Sequence, residues 1–443
     1  MTLSKSAAPG FRAHTALGEK SLKLFPPTWE AYIIFLTLPG WWLLGMDQLI
    51  WPFAALVLLP RMLAQGRIVF PRSFYLWLLF LCWFFLSGTQ VEGENRWLAY
   101  FREFTLYFSA SCLFLYIFNY GWRSRWVPYK CLSISSVYVA VAGIAGFFLP
   151  QFSLPTAAEA ILPASLVSDP YVYPMVHKWL AEYASFMGEP FLRPKGLMMY
   201  AAEMAVFLAI TAPVNLHLLL HSPDRRWKAI ALIALGLAVW PLIFSVGRSG
   251  WLGLTVGLAF LCVRLLSTAH KRLAIKFTIV MLLLCAGVYF LTPAPAVVKD
   301  RLAHPHSNQA RMEIYTETLL KLSQSPWLGF GTQRPAEKPG LPPLGSHQTY
   351  LGIAFRHGWP GLLLFLLWMG TTLRLAFRAP TASGPFLTAS LLAILVGMIG
   401  VSWTVDAILL HTIWLVLAVI YLESRQITWS NKSGEGKYAL QSS

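Results

Sequence analysis

Twelve apolar stretches, each near the length of a membrane-spanning helix, dominate the sequence. A helix needs about 20 mostly apolar residues to cross the hydrocarbon core of a bilayer. The stretches lie at residues 31–46, 49–64, 73–89, 101–120, 131–149, 197–220, 228–245, 249–267, 274–292, 359–377, 385–403 and 405–422. Only 12% of the residues are charged, about half the proportion found in soluble domains. The sequence therefore predicts an all-α polytopic membrane protein with about twelve transmembrane helices, and it excludes an ordinary soluble enzyme.

Positive charge alternates between the segments that connect these stretches. The side of the odd-numbered segments, counted from the N-terminus and with the adjoining stretch ends included, holds 22 basic and 5 acidic residues, whereas the other side holds 13 basic and 14 acidic residues. Cytoplasmic loops of membrane proteins are enriched in Lys and Arg. The pattern predicts a cytoplasmic segment 1–30 without a cleavable signal peptide, a membrane domain over 31–424 and a cytoplasmic tail over 425–443. The net charge of +16 is then a topology signal, and no nucleic-acid partner is expected.

Two of the predicted external segments are long. Segment 150–196 is rich in proline and includes an amphipathic stretch at 175–187; segment 293–348 includes a predicted helix at 308–322. The residues that share one face of this helix are Met312, Tyr315, Leu319 and Leu322. Loops of this length beside a compact bundle are more often functional than idle. The sequence therefore predicts that any chemistry faces the outer side.

Three external arginines are candidates for binding an anion, because guanidinium can grip phosphate oxygens with two parallel hydrogen bonds. Arg193 precedes the sixth stretch, Arg248 lies in the short turn between the seventh and eighth, and Arg311 lies near the start of the predicted external helix. Each has a plainer alternative. Arg193 can anchor at the membrane interface, Arg248 can end two helices, and Arg311 can pair with Glu313 or Asp300.

His347 is the candidate catalytic residue, because histidine alone has an unperturbed pKa close to neutrality. It can take a proton from an attacking hydroxyl or hydrogen-bond a phosphate; the alternative is a structural histidine. Four neighbouring polar residues are supporting candidates: Lys195, Glu203, Gln348 and Tyr350. Asp406, near the outer end of the last stretch, is interpreted as an interfacial residue.

No metal or cofactor is predicted. Asp300, His304 and His306 lie near one another, but their spacing is too loose for a typical metal site. The five cysteines lie in or beside apolar runs, which indicates small apolar fillers rather than disulfides. No glycine-rich nucleotide-binding loop is present.

Four motifs in order resemble the O-antigen ligase and O-antigen polymerase superfamily. Arg193-Pro-Lys-Gly-Leu197 resembles its Arg-x-x-Gly element, and Ser245-Val-Gly-Arg-Ser-Gly-Trp251 resembles its arginine-containing turn. Arg311 followed by Pro326-Trp-Leu-Gly-Phe-Gly331 is similar to a third element. Ser346-His-Gln-Thr-Tyr-Leu351 with Gly358-Trp-Pro-Gly361 is similar to the fourth, in which Gln348 replaces the more frequent Asn, as in some exopolysaccharide members.

The resemblance implies a glycosyltransferase-C-like membrane fold and an enzyme that moves a glycan from an undecaprenyl-diphosphate carrier at the periplasmic face of a bacterial inner membrane. It implies that Arg193, Arg311 and Arg248 bind the donor diphosphate and that His347 assists the acceptor hydroxyl. The expected acceptor is lipid A–core. A polymerase that uses the same donor is the first alternative, and a transporter or flippase of a lipid-linked anion is the second.

Overall fold

The computed structural model describes residues 29–267, 306–338 and 341–433, apart from residues 65, 67, 122–124, 170 and 188, and also residues 296 and 299. This part of the chain is mainly helical, which confirms the predicted all-α membrane class. The helices are α1 (Trp29–Leu36), α2 (Leu38–Leu43), α3 (Ile50–Ala64), α4 (Phe74–Ser87), α5 (Glu94–Tyr120), α6 (Val127–Phe148), α7 (Ala157–Ile161), α8 (Ala164–Val167), α9 (Tyr173–Val176), α10 (Ala201–His221), α11 (Arg225–Phe244), α12 (Arg248–Leu266), α13 (His306–Leu322), α14 (Thr349–Arg378), α15 (Gly384–Gly397) and α16 (Ala407–Ser433).

The predicted count of about twelve spans is not confirmed. Within the described ranges, six helices are long and apolar enough to cross a membrane, namely α6, α10, α11, α12, α14 and α16, and α3, α4 and α15 are shorter apolar helices. The predicted stretch 31–46 is divided at Thr37 into α1 and α2. Stretch 274–292 lies outside the described residues. Helix α15 ends at Gly397 rather than near 403, since the chain then forms an irregular segment that bonds to the start of α14.

The centre of the bundle consists of α10 and α16, whose side chains are largely buried by the surrounding helices. Four tryptophans from different elements meet there: Trp77, Trp368, Trp403 and Trp414. The Trp77 ring centroid lies 4.7 Å from that of Trp414 and 4.8 Å from that of Trp368. Large rings in offset or edge contact bury much apolar area, so they fix the relative positions of α4, α14 and α16.

Helix α12 packs against α10 and α15 through a row of glycines. A Cβ atom built on Gly250 would lie 2.5 Å from the Ala205 backbone, and one on Gly257 would lie 2.7 Å from the Ala389 carbonyl oxygen. Small residues let helix backbones approach closely in a membrane, where packing rather than hydrophobic burial drives association. This close approach places the first turn of α12 against the start of α10.

The long segment 150–196 contains two small antiparallel sheets that the all-α prediction does not include. Strand β1 (Ser153–Leu154) pairs with β2 (Lys178–Trp179), and β3 (Ala181–Met187) pairs with β4 (Glu189–Pro194). The stretch 175–187, predicted as amphipathic, is therefore mostly extended. In the other long segment, α13 lies where the sequence predicts a helix at 308–322. Helix α16 continues to Ser433, into the predicted tail 425–443.

Helix α14 is kinked at Gly358, which has a φ of 68° and a ψ of −178°. The kink leaves three backbone carbonyl groups and one backbone amide of α14 without partners inside the helix. Residues 326–331 and the side chain of Trp83 form hydrogen bonds with these groups. The hydrogen bonds at the kink are Phe330 N to Phe355 O (2.9 Å), Gly331 N to Arg356 O (2.8 Å), Trp83 Nε1 to His357 O (2.8 Å) and Trp359 N to Pro326 O (2.9 Å). Segment 326–331 is therefore part of the helix packing and links the end of α13 to α14.

Replacing Gly358 by alanine tests whether the kink and its hydrogen bonds to residues 326–331 stabilise the structure. An alanine there needs a backbone conformation that is almost restricted to glycine, which costs about 1–3 kcal/mol. Its Cβ would also lie 1.9 Å from the Trp327 carbonyl oxygen. Gly370→Ala is the matched control, because Gly370 lies in the same helix with open space around it and should gain about 0.5–1 kcal/mol. Thermal unfolding in detergent should show a lower Tm for G358A only. Equal Tm values for G358A and the unchanged protein would contradict a stabilising role of the kink.

Candidate functional site

The turn between α11 and α12 places Arg248 at the first position of α12. Val246 in this turn has a φ of 54°, which is unusual for a β-branched residue and stores strain. A Cβ atom on Gly247 would lie 2.5 Å from the Ala205 Cβ, so the turn sits tightly on α10. Arg248 is therefore positioned by backbone packing on both sides of the turn.

The segment that contains His347 is held against the irregular chain between α15 and α16. The Thr349 amide donates to the Met398 carbonyl (2.9 Å), and the Thr349 hydroxyl donates to the Val401 carbonyl (2.7 Å) and accepts from the Trp403 amide (3.1 Å). His347 itself has a φ of 60°. Among the described residues other than glycine, only Val246 and His347 have positive φ values, and both lie in motif segments. Strained backbone of this kind is common at functional sites.

Arg311 lies where these two segments meet. A Cβ atom on Gly400 would lie 2.6 Å from the Ser249 Cβ and 3.8 Å from Nη1 of Arg311. Gly400 belongs to the irregular segment that holds Thr349, and Ser249 follows Arg248. The guanidinium of Arg311 is thereby brought beside the start of α12 and close to the segment of His347.

The positive charge of Arg311 acts on several neighbours. Burial and the Arg311 guanidinium lower the pKa of His347 to about 4, although the residue retains solvent exposure. Burial also lowers the pKa of Arg193. The charges of Glu182 and Glu203 raise that pKa, and the charge of Arg311 lowers it further. His347 is therefore neutral at pH 7 and able to accept a proton.

Arg248 and Arg311 have no carboxylate partner among the described residues. Their positive charges repel each other. Glu313, the alternative partner expected for Arg311, pairs instead with Nζ of Lys338 at 2.7 Å; Asp300 lies outside the described residues. These two arginines, called the arginine cluster below, thus have no counter-ion in the described part of the chain, and such an arrangement favours the binding of an anion.

Arg193 lies beside this pair but is already engaged. Its Nη1 lies 2.9 Å from Oε1 of Glu182, the residue directly opposite it in the β3–β4 hairpin, and its Nε donates to the Ser245 carbonyl at 2.7 Å. The side chain therefore joins the hairpin to the turn that carries Arg248. Sequence reasoning missed Glu182, because the β pairing that brings it opposite Arg193 is a tertiary feature.

Lys195 belongs to a different cluster. Its ammonium donates to the Met199 carbonyl (3.1 Å) and lies 5.2 Å from the centroid of the Trp179 ring. It lines a small buried cavity together with Asp47 and Lys178, which pair at 2.5 Å. Burial lowers the pKa of Lys195. None of these contacts joins Lys195 to Arg248 or Arg311, so they do not support the predicted role of Lys195 beside the two arginines.

The other supporting candidates differ in their surroundings. Tyr350 donates its hydroxyl to the Leu395 carbonyl at 2.7 Å, which is a structural bond between α14 and α15. Gln348 immediately precedes α14, and its side chain makes no capping bond. Glu203 is buried near Arg193, with one carboxylate oxygen that has no hydrogen-bond partner in the described part of the chain. Asp406 accepts from the Met199 and Leu409 amides at 2.7 and 2.9 Å.

Tyr315 joins the arginine cluster, although the sequence indicated only that it shares a helix face. It lies one turn after Arg311 on α13. Burial raises the pKa of Tyr315, and the charges of Arg311 and Arg248 act in the opposite direction. Its phenol can therefore donate a hydrogen bond to an anion held by the two arginines. The loosely spaced group of Asp300, His304 and the side chain of His306 lies outside the described part.

Residues 233–366 match the protein family described as O-antigen ligase. The matched range contains Arg248, Arg311 and His347, whereas Arg193 and Lys195 precede it. This match confirms the resemblance to the O-antigen ligase and polymerase superfamily that the four motifs predicted. No curated protein matches the chain.

The electrostatic link between Arg311 and His347 can be measured directly. Replacing Arg311 by methionine removes the nearby positive charge, so the pKa of His347 should rise from about 4 toward the unperturbed value of about 6.5. Diethylpyrocarbonate modifies neutral imidazole, and its reaction with His347 can be followed by peptide mass spectrometry as a function of pH. Lys338→Gln, which removes an exposed cation that pairs with Glu313, is the control. A midpoint unchanged in R311M would refute the link.

Proposed function

We propose that the protein is a glycosyltransferase that moves a glycan from an undecaprenyl-diphosphate carrier to an acceptor hydroxyl, as an O-antigen ligase does. The family match supports a function of the O-antigen ligase or polymerase type. The observation that carries the finer proposal is the pair of arginines, Arg248 and Arg311, which lies beside a neutral His347 and has no carboxylate partner in the described ranges of the chain.

The arginines stabilise the leaving group. The donor is already activated by its diphosphate linkage, so the reaction needs no nucleotide. As the bond between the anomeric carbon and the diphosphate oxygen breaks, the electron pair stays on the diphosphate and its negative charge grows. Preorganised guanidinium groups favour that charge in a site with little water. Arg311 and Arg248 contact the diphosphate, Tyr315 donates to one of its oxygens, and Arg193 holds the turn in place.

His347 accepts the proton of the attacking hydroxyl as the new glycosidic bond forms. Attack from the face opposite the diphosphate inverts the anomeric centre. In the free protein the low pKa makes His347 a weak base. A bound diphosphate offsets the charge of Arg311, which raises the pKa of His347 and improves it as a base when the substrate is present. The alternative role is a direct hydrogen bond from His347 to the phosphate.

The acceptor proposed for the reaction is lipid A–core, at the periplasmic face of a bacterial inner membrane. A polymerase would use a second lipid-linked repeat as acceptor with the same donor site. A transporter of a lipid-linked anion is a further alternative, which predicts movement of the labelled donor without a new glycosidic bond.

Turnover and donor affinity of purified variants separate the two roles of His347. If His347 is the base, His347→Ala should lower turnover by about 10²–10⁴-fold while donor affinity changes little, and the defect should lessen at higher pH. If His347 binds phosphate, donor affinity should fall with little rescue at high pH. Arg311→Ala should weaken donor binding in both cases, and Arg311→Lys should restore only part of it, since an ammonium lacks the planar fork.

Lys338→Gln is the matched control, because it removes a cation on the same side of the protein that pairs with Glu313 away from the arginine cluster. It should keep normal turnover. Near-normal activity of H347A and R311A, at normal expression, would overturn the proposed site.

Cysteine labelling tests the proposed orientation. Glu337 is well exposed and its amide donates to Glu317 of α13, the helix that carries Arg311, whereas Ser267 is exposed at the end of α12 opposite to Arg248. In a cysteine-free background, Glu337→Cys should react with a membrane-impermeant maleimide in cells whose outer membrane is permeabilised. Ser267→Cys should react only after lysis. The reverse pattern would place the site on the cytoplasmic side.

A further inference from the structure

The stretch between α6 and α9 is unusual for a connecting segment because it is almost free of charge. Residues 147–168, called the apolar segment below, contain one ionisable side chain, Glu159, and no lysine or arginine. The segment forms the end of α6, strand β1, and the short helices α7 and α8. A connecting segment bathed in water normally carries polar and charged side chains on its outer face.

The single charge of the apolar segment is directed inward. Oε2 of Glu159 lies 2.8 Å from Nδ1 of His177 and accepts from the Thr156 amide at 3.4 Å. Nε2 of His177 lies 2.7 Å from Oγ of Ser153. With Nδ1 protonated, the imidazole donates to Glu159 and accepts from Ser153. The carboxylate thereby holds α7 against the residue that precedes β2, and the Glu159 side chain is only 19% exposed.

The outer face of the apolar segment is instead covered by large apolar side chains. The exposed fractions are 82% for Ile161, 70% for Phe148, 54% for Leu149 and 38% for Leu166. Pro155, Ala157, Ala160, Pro163 and Ala164 are also exposed, and the exposed polar side chains of the segment, such as Gln151, Ser165 and Ser168, are uncharged. No described residue of the chain covers these side chains, and exposed apolar surface of this extent marks contact with a membrane or a partner.

The position of the apolar segment identifies what covers it. The Ala158 amide donates to the Leu44 carbonyl at 3.0 Å, and a Cβ atom on Gly45 would lie 2.2 Å from Oγ1 of Thr156. The segment is therefore fastened to the turn between α2 and α3, where two apolar stretches end. Phe148 and Leu149 continue the surface of α6, a candidate membrane span. The apolar surface is thus continuous with surfaces that face lipid.

We propose that the apolar segment dips into the bilayer leaflet on the side of the arginine cluster, with Ile161 and Leu166 among the lipid acyl chains. Apolar side chains without nearby charge are stable at the boundary between headgroups and acyl chains. Tyr171, 63% exposed, then lies at headgroup level, where tyrosine is enriched. Asp169 is the first ionisable residue after the apolar segment, and its carboxylate accepts a hydrogen bond from the Tyr171 amide at 2.7 Å.

Depth-dependent quenching tests this proposal in nanodiscs. In a cysteine-free background, Ile161→Cys is labelled with the fluorophore NBD; the side chain is so exposed that the label does not disturb packing. Leu232→Cys, on the exposed face of α11, is the control within lipid, and Glu337→Cys is the control in water. The label at 161 should emit at shorter wavelength than at 337. It should also be quenched several-fold more by spin-labelled acyl chains than by iodide.

Two outcomes would overturn the proposal. Strong iodide quenching at 161, equal to that at 337, would mean that the segment stands in water. Protection from both quenchers would mean that a protein surface, such as a second copy of the chain, covers it. The test measures neither donor use nor glycan transfer, so its result is independent of the proposed activity.

Discussion

The kink of α14 at Gly358 is the constraint on which the site depends. Inside a membrane protein every backbone polar group needs a partner, because lipid offers none. The carbonyl groups freed at the kink receive their hydrogen bonds from residues 326–331 and Trp83. The chain that follows α13 is thus inserted into α14 itself. Arg311 on α13 and His347 just before α14 are consequently held at a fixed separation, although 35 residues of varied structure lie between them.

A buried ion pair and its hydrogen bonds also hold the helices around the kink. Arg356, just before the kink, pairs with Glu103 of α5 at 2.5 Å, and both side chains are buried. Its Nη1 also donates to the Thr404 hydroxyl at 3.3 Å, and Arg102 donates to the Thr404 and Val405 carbonyl groups. The irregular segment before α16 is thereby tied to two helices, and that segment in turn binds Thr349. Removing one partner of a buried ion pair typically costs about 3–5 kcal/mol, because the other charge is left buried and uncompensated.

The rigid frame holds groups that repel one another. Arg248 and Arg311 lie together with no carboxylate partner among the residues that the structure describes, and both Val246 and His347 have strained backbones. Such an arrangement costs stability in the free protein, and packing elsewhere offsets that cost. A bound dianion would relieve the repulsion and raise the proton affinity of His347 in the same step. The proposed transfer from a diphosphate carrier would therefore couple donor binding to the base strength of His347.

The sequence alone determined the membrane class, the helix that carries Arg311 and the family resemblance, because apolar length, helical period and short motifs are local properties. It also marked Arg193, Arg248, Arg311 and His347. Only the tertiary structure decided that Arg193 is bound to Glu182 and that Lys195 lies in another cluster, since a β hairpin that local pattern did not reveal sets both positions. Tyr315 joined the site for the same reason: which groups share a charged cleft depends on how distant segments pack, and that packing is written in no single stretch of sequence.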